Sequence, residues 1–257
     1  MTPETKSMLK RVLLFVVLPL LLVSAVSFFS FRLLRSWLFT ENPRLELREV
    51  KVRSTGYWRE REAQLSRRIG LEKGVNIFSV DLRQKRRKLE KIPNVASAEV
   101  RRILPDKLEI RLEERIPRAA VGNLNSPYVI DDQCMVMPRL ESLGASLRLP
   151  VVNGLPVTAL TPGTREPRFQ PAVDLLMTTL RGFPDIQIHQ LSIARADRLD
   201  VTLTYRGRYP CRAFIPVKNP GYTFMLSALQ SAIIAARRRG DTRNTFDLSY
   251  EGQVVLR

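Results

Sequence analysis

Residues 81–112 read DLRQKRRKLEKIPNVASAEVRRILPDKLEIRL, and their pattern decides the fold. Asp81 stands where a helix begins, with Gln84 three residues on in the capping-box relation. Leu82, Leu89 and Ile92 share one helical face, and Pro93 ends the helix because it cannot continue the hydrogen-bond ladder. The opposite face is Arg83, Lys85, Arg86, Arg87, Lys88 and Lys91. Beyond Pro93 the period changes. Ala96, Ala98 and Val100, then Leu108, Ile110 and Leu112 after a tight Leu104-Pro105-Asp106 turn, alternate with polar residues. That predicts a two-stranded hairpin with one buried face.

Working outward toward the N-terminus, Val50 and Val52 alternate with Lys51 and Arg53 in a strand that ends at Gly56. Arg59 to Leu71 reads as a charged helix burying Ala63, Leu65 and Ile69, and Glu72-Lys73-Gly74 as a turn. The order is β-α-α-β-β, a small α+β unit. Further upstream, Val12 to Phe31 carries no charged residue. At about 1.5 Å of helical rise per residue it matches a hydrocarbon core of roughly 30 Å. Lys6, Lys10 and Arg11 precede it, and positive charge on a short segment favours the cytoplasmic side. The expectation is a cytoplasmic tail (1–11), a transmembrane helix (12–31) and a linker (32–44) broken at Asn42-Pro43, with the bulk extracytoplasmic. The rival reading is a signal peptide cleaved near Ser24-Ala25-Val26-Ser27. The run continues through Phe28, Phe29 and Phe31, longer than an ordinary signal core, and Arg35 and Trp37 resemble interfacial anchors. Both points favour the uncleaved anchor.

The chain of 257 residues has 42 basic and 25 acidic side chains, a formal charge of +17. Such a balance invites a nucleic-acid reading. The expected topology places the basic part away from cytoplasmic nucleic acid, leaving headgroups, anionic wall polymers, acidic protein surfaces or plain solvated faces. Cys134 and Cys211 would lie in an oxidising compartment, and their spacing leaves pairing open. There is no CxxC, and His189 is the single histidine.

Several segments resemble a known family. Gly74-Val75-Asn76-Ile77-Phe78-Ser79-Val80-Asp81 before a helix is similar to the corresponding turn of POTRA domains in the FtsQ/DivIB cell-division family. Pro93-x-Val95-x-x-Ala98-x-Val100, Arg102-x-x-Pro105-x-x-Leu108-x-Ile110, Glu114-Arg115-x-Pro117-x-Ala119 and Tyr128-Val129-Ile130-Asp131 follow in family order. Each residue alone is structural: a turn glycine, a cap, a helix stop, core. The chain departs from the pattern at Asn94, where many members have an aromatic, at Asp132-Gln133-Cys134, and at Phe246-Asp247-Leu248-Ser249-Tyr250, which lacks an arginine. The resemblance implies a POTRA domain (45–117) and a mainly antiparallel C-terminal β domain with two helices (118–257).

In that second half, Ala119 to Val121, Tyr128 to Ile130 and Cys134 to Met137 read as short strands, and Pro150-Val151-Val152-Asn153-Gly154 resembles a segment of the family's second domain. A helix follows from Phe169 to Leu180, ending at Gly182, with Phe169, Val173, Leu176 and Leu180 on one side. Strands are expected at Gln190 to Arg195 and at Asp200 to Tyr205, where Val201, Leu203 and Tyr205 share a face. Asn219-Pro220 opens the last helix, Met225, Leu229, Ala232 and Ala236 line it, and Gly240 closes it. Arg237-Arg238-Arg239 complement the helix dipole at its C-terminal end.

The chain finishes as a strand pair or a bulged strand, Thr245 to Arg257, and a terminal strand at a sheet edge can accept another chain's strand. The resemblance implies that use, with an extended segment of FtsB, a single-pass coiled-coil protein acting with FtsL, as the occupant. The candidate partner-binding residues are Tyr250, Gly252, Gln253, Val254, Val255 and Leu256, together with Arg237 and Arg238. No nucleophile elbow, Walker loop, Rossmann glycine run or HExxH occurs, and Asp131-Asp132 would point to opposite strand faces. The expectation is a scaffold of the division complex with no catalytic residue, metal, cofactor or small-molecule substrate. The alternatives are a POTRA-containing envelope assembly factor and a secreted basic binder of anionic wall polymers.

Overall fold

The computed structural model describes residues 18–39, 43–123, 125–140, 149–217, 221–250 and 252–257. Helix α1, Leu18–Phe39, runs past Arg32 without a break, so the first part of the segment read as a linker is helical. Residues 1–17 of the expected tail and apolar run lie outside the described residues. No described helix is long and apolar enough to cross a membrane.

The expected β-α-α-β-β order is present: β1 Glu49–Arg53, α2 Glu62–Ile69, α3 Leu82–Glu90, β2 Val95–Ile103 and β3 Lys107–Glu114, in a sheet ordered β1-β3-β2. The chain divides into two compact units. The first comprises the chain up to Arg53 with Glu60–Arg86 and Glu99–Arg111. The second comprises Ser54–Arg59, Arg87–Ala98 and Leu112–Arg257.

In the first unit β1 lies parallel to β3, with Val50 opposite Leu108 and Val52 opposite Ile110. Leu47, Leu65, Ile69, Ile77, Leu108 and Ile110 are buried. The turn before α3 shows why its letters matter. Gly74 has φ +84°, a backbone state that favours glycine. Asn76 accepts the Phe78 amide at 2.8 Å in an Asx turn, and Asp81 accepts the Gln84 amide at 3.0 Å as the expected cap. Arg102 then donates to the carbonyls of Ile77 and Val80, both at 2.8 Å, tying the turn to β2.

The second unit is built on a nine-stranded sheet. Its strands are β4 Ala119–Val121, β5 Tyr128–Ile130, β6 Val136–Pro138, β7 Val151–Asn153, β8 Ile186–Ser192, β9 Arg198–Tyr205, β10 Tyr209–Pro216, β11 Thr245–Asp247 and β12 Val255–Leu256. Their order is β12-β11-β10-β9-β8-β7-β4-β5-β6. The pairs β10–β11, β7–β8 and β4–β7 are parallel and the rest antiparallel. Parallel neighbours need crossovers, and helices supply two of the three: α4, Gln170–Gly182, between β7 and β8, and α5, Tyr222–Arg238, between β10 and β11, while the path from β4 to β7 passes through β5 and β6. Both helices share one core with the sheet, including Phe169, Leu176, Val201, Leu203, Leu229 and Phe246.

Several expectations need correcting. Ala63 is exposed, because α2 begins only at Glu62 and its short stripe is Leu65 and Ile69. In β2 the buried residues are Val95 and Ala98, while Ala96 is exposed and Val100 half-buried, so the strand does not alternate cleanly. In α4 the buried stripe passes through Ala172, Leu175, Leu176 and Thr179, leaving Leu180 65% exposed. Thr179 is tolerated there because its hydroxyl donates to the Leu175 carbonyl at 2.8 Å. In α5 Ala232 is only half-buried, and Leu226 and Ile233 join the stripe. The strand expected over Cys134 to Met137 starts at Val136, since Cys134 has φ +60°. Strand β10 was not expected at all, although Cys211, Ala213 and Ile215 alternate on its buried face. The Asn219-Pro220 helix start lies outside the described residues; the helix follows Gly221, φ +98°. Cys134 and Cys211 are both buried free thiols.

Candidate functional site

The sheet of the second unit has two edges, treated differently by the chain. At the β6 edge the chain covers itself. Val136 donates to the Thr164 carbonyl at 2.9 Å, Gly163 donates to Val136 at 2.8 Å, and Glu166 donates to Cys134 at 2.9 Å. Residues 163–166 therefore occupy the hydrogen-bonding groups that an incoming strand would need.

The opposite edge is β12. It pairs antiparallel with β11, Phe246 opposite Leu256 and Asp247 opposite Val255. The Arg257 amide donates to the Thr245 carbonyl at 2.9 Å. Antiparallel strands alternate inward and outward groups, so the N–H and C=O of Leu256 point away from β11. The same alternation holds one strand in: Leu248 donates to the Phe214 carbonyl of β10 at 2.9 Å, leaving the odd-numbered residues of β11 for β12. Among the described residues, the outward carbonyl of Leu256 meets only a long 3.5 Å contact from Arg243 Nη1.

The turn into β12 closes through a Gln253 amide to Tyr250 carbonyl bond of 3.2 Å, with Gly252 at φ +70°. Asp247, 1% exposed, accepts the Ser249 amide at 3.0 Å and pairs with Arg257 at 3.0 Å. Arg257 also reaches the Tyr250 hydroxyl at 3.2 Å. Arg243 grips Asp241 through contacts of 2.6 and 3.1 Å. The hydrogen bonds of the Arg243 side chain and then of its backbone amide hold the Asp241 carboxyl down at about 2.

Of the eight candidate residues, the structure brings Tyr250, Gly252, Gln253, Val254, Val255 and Leu256 together along this turn and edge. Tyr250 is exposed, and Val254 and Leu256 pack partly against the core. Arg238 is exposed at the end of α5. Arg237 is largely engaged by its own chain: it donates to the carbonyls of Asp241 at 3.0 Å and Arg243 at 3.3 Å and lies over the Tyr209 ring. These contacts hold the loop after α5, while the amides of Gly240 and Asp241 close the helix end on the Arg237 and Ala236 carbonyls. Asp247 and Arg257 fall within the expected strand pair, whereas Asp241 and Arg243 lie outside it and are additions of the structure. The Asp-x-Arg spacing just after Gly240 was the available signal.

His189 is exposed and hydrogen-bonded to the Thr204 hydroxyl at 2.7 Å. Asp131 is buried and accepts the amides of Gln133 at 2.9 Å and Met135 at 2.8 Å, and pairs with Arg115 at 2.7 Å. It is a turn anchor. Among the described residues no group of three His, Cys, Asp or Glu side chains could hold a metal ion.

Comparison with known proteins agrees with this architecture. Residues 45–115 match the POTRA domain of FtsQ type. Over 209 residues the chain is 31% identical to cell division protein FtsQ of Syntrophotalea carbinolica, covering 76% of this chain and 72% of that protein. It is 30% identical over 172 residues to the FtsQ of Myxococcus fulvus, covering 66% and 58%. With the FtsQ of Geotalea daltonii it shares 25% identity over 244 residues, 92% of this chain and 83% of that one. An FtsQ-type POTRA domain with a strand-edged β sheet after it, and similarity that runs through both, lead to one assignment: the chain belongs to the FtsQ family of cell division proteins.

Proposed function

We propose that this protein is a non-enzymatic, single-pass scaffold of the bacterial division complex, and that the β12 edge receives an extended segment of an FtsB-type partner acting with FtsL. The observation that carries the reading is the asymmetry of the two sheet edges. Residues 163–166 cover β6, whereas among the described residues the outward groups of Leu256 face only the distant Arg243 contact. An added strand would gain main-chain hydrogen bonds on Leu256 and Val254, while the exposed Tyr250 offers a side-chain contact beside it.

The membrane part of the proposal rests on the uncharged run 12–31 and on α1, whose side chains Leu20, Leu22, Phe28 and Phe31 are all about two-thirds exposed. With residues 1–11 cytoplasmic, the POTRA domain (45–117) and the β domain (118–257) would lie outside the cytoplasm. There the POTRA domain would meet earlier division proteins and the β domain the later ones, at the septum.

The test is binding of an FtsB-type segment to the full chain and to a variant lacking Gly252–Arg257. Loss of binding with retained folding supports the edge; unchanged affinity sinks it.

A further inference from the structure

Beyond α1, the exposed apolar bulk of the first unit is gathered at one end. Among the described residues of that unit, the large hydrophobic side chains left exposed there are Phe78, at 39%, and Leu104, at 60%. Phe78 lies in the turn before α3 and Leu104 in the turn between β2 and β3, with Pro105 exposed beside it.

Both turns meet the segment that enters the unit from α1. Leu47 donates to the Val75 carbonyl and Ile77 to the Leu45 carbonyl, each at 2.8 Å, so residues 45–47 pair with the first turn. Arg48 donates to the Asp106 carbonyl of the second turn at 2.9 Å. Because β1 runs parallel to β3, with Glu49 opposite Lys107, the incoming chain and the hairpin turn share one end of the sheet. Arg102 joins the two turns. It is bonded to the Ile77 and Val80 carbonyls, and its guanidinium lies 5.5 Å from the centre of the Phe78 ring. Phe78 is thus held at the surface by the Asx turn on one side and a cation–π contact on the other.

Helix α1 ends at Phe39 and the entry segment begins at Pro43. Four Cα steps reach at most about 15 Å. With α1 in a bilayer and Trp37 at the headgroup level that tryptophan favours, these two turns stand beside the same membrane. Charge does not select the surface, because cations and carboxylates are equal in number over residues 43–49, 72–81 and 102–107 taken together. Exposed apolar side chains without net charge, next to a membrane helix, fit the boundary between headgroups and acyl chains.

We propose that Phe78 and Leu104 rest in the headgroup boundary of the bilayer that α1 spans, holding the first unit against the membrane by its entry end, an inference that rests on the membrane reading of α1.

The experiment places the full chain in phosphatidylcholine vesicles containing nitroxide-labelled lipid. One environment-sensitive fluorophore is attached at Phe28→Cys, Phe78→Cys, Leu104→Cys or Glu99→Cys; the native thiols are buried. Glu99 is exposed on β2 and lies about 16 Å along the strand from Leu104, which makes it the control. Quenching is expected at 28, and at 78 and 104 at least about twofold more than at 99. Because Phe78 and Leu104 are both exposed, either label alone decides the matter if the other variant fails to fold. Quenching at 28 with 78 and 104 no more quenched than 99 would overturn this inference while leaving α1 in the membrane, and would free the apolar end for a protein partner. No quenching at 28 would overturn the membrane reading itself, and this inference with it.

Discussion

The carboxylate of Glu114, at the end of β3, accepts the backbone amide of Trp58 at 2.9 Å across 56 residues of chain. It also accepts the Tyr57 amide at 2.8 Å and the Ser54 hydroxyl, so one side chain gathers the whole loop after β1. Trp58 is buried beneath it and donates through its indole N–H to Asn94 at 3.3 Å. Asn94, the departure from the family pattern after Pro93, is therefore a buried hydrogen-bond partner. Glu114→Ala should lose about 2–4 kcal/mol, because two amides are orphaned and charge-assisted bonds vanish together. Urea unfolding measures this; a loss below about 0.5 kcal/mol would contradict the clamp.

Gly56 belongs to the same clamp for steric reasons. A Cβ there would sit 2.7 Å from Glu114 Oε2. Gly56→Ala should cost about 1–3 kcal/mol by pushing the carboxylate off the loop amides, read as a lower urea midpoint. Restored stability in Gly56→Ala combined with Glu114→Ala, relative to additive losses, would place the two effects in one contact.

Arg115, the next residue, ties the start of the second-unit sheet to Asp131 at 2.7 Å, and Asp131 is 2% exposed. Removing one partner of a buried pair leaves the other charge stranded. Asp131→Ala should cost about 3–5 kcal/mol, more than Asp131→Asn, which keeps an acceptor for the Gln133 and Met135 amides. Equal stability of the two variants would rule out the turn-anchor role.

Two glycines with left-handed backbone should respond unequally. At Gly154, φ +113°, an added Cβ would lie 2.6 Å from the Ala194 backbone nitrogen; at Gly252, φ +70°, nothing lies within 4 Å. Gly252→Ala should cost only the left-handed penalty of about 1 kcal/mol, and Gly154→Ala clearly more because backbone must move. Thermal unfolding of the two variants side by side checks the order.

The Asp241–Arg243 contact predicts a pH dependence. The folded carboxyl is held at about 2 against an ordinary 3.8. A depressed folded value contributes stability that is complete above the unfolded pKa and is lost as pH falls through the folded one. The carboxyl resonance of Asp241 should thus stay at its ionised position down to about pH 3 and titrate near 2. In Arg243→Gln the midpoint should return toward 3.8.

Much of this fold could be read from local pattern because its signals are short-range. Asp81 before a charged helix, Pro93 after it, and Val201, Leu203 and Tyr205 on alternate positions needed no tertiary knowledge. The misreadings have a common cause. Leu180 was placed inside for its hydrophobicity, yet the helix period gave the place to Thr179, and Ala96 lost its place to Val95. Buried charge was the least visible feature. Glu109 and the half-buried Glu114 alternate with other charged residues in a strand that reads as solvated on that face, Asp131 reads as one of two adjacent strand carboxylates, and only the fold brings Arg53, Trp58 and Arg115 to them. The β12 edge is legible as a terminal strand, but its contrast with the self-covered β6 edge depends on contacts far apart in sequence.

The central claim concerns the outward amide of Leu256, and hydrogen exchange on the full chain addresses it directly. With no partner, the Arg257 amide, bonded to Thr245, should exchange slowly and the Leu256 amide quickly. Saturating FtsB-type segment should protect Leu256 by about tenfold or more while leaving Arg257 nearly unchanged. Tight binding with no new protection at Leu256 would contradict strand addition at β12.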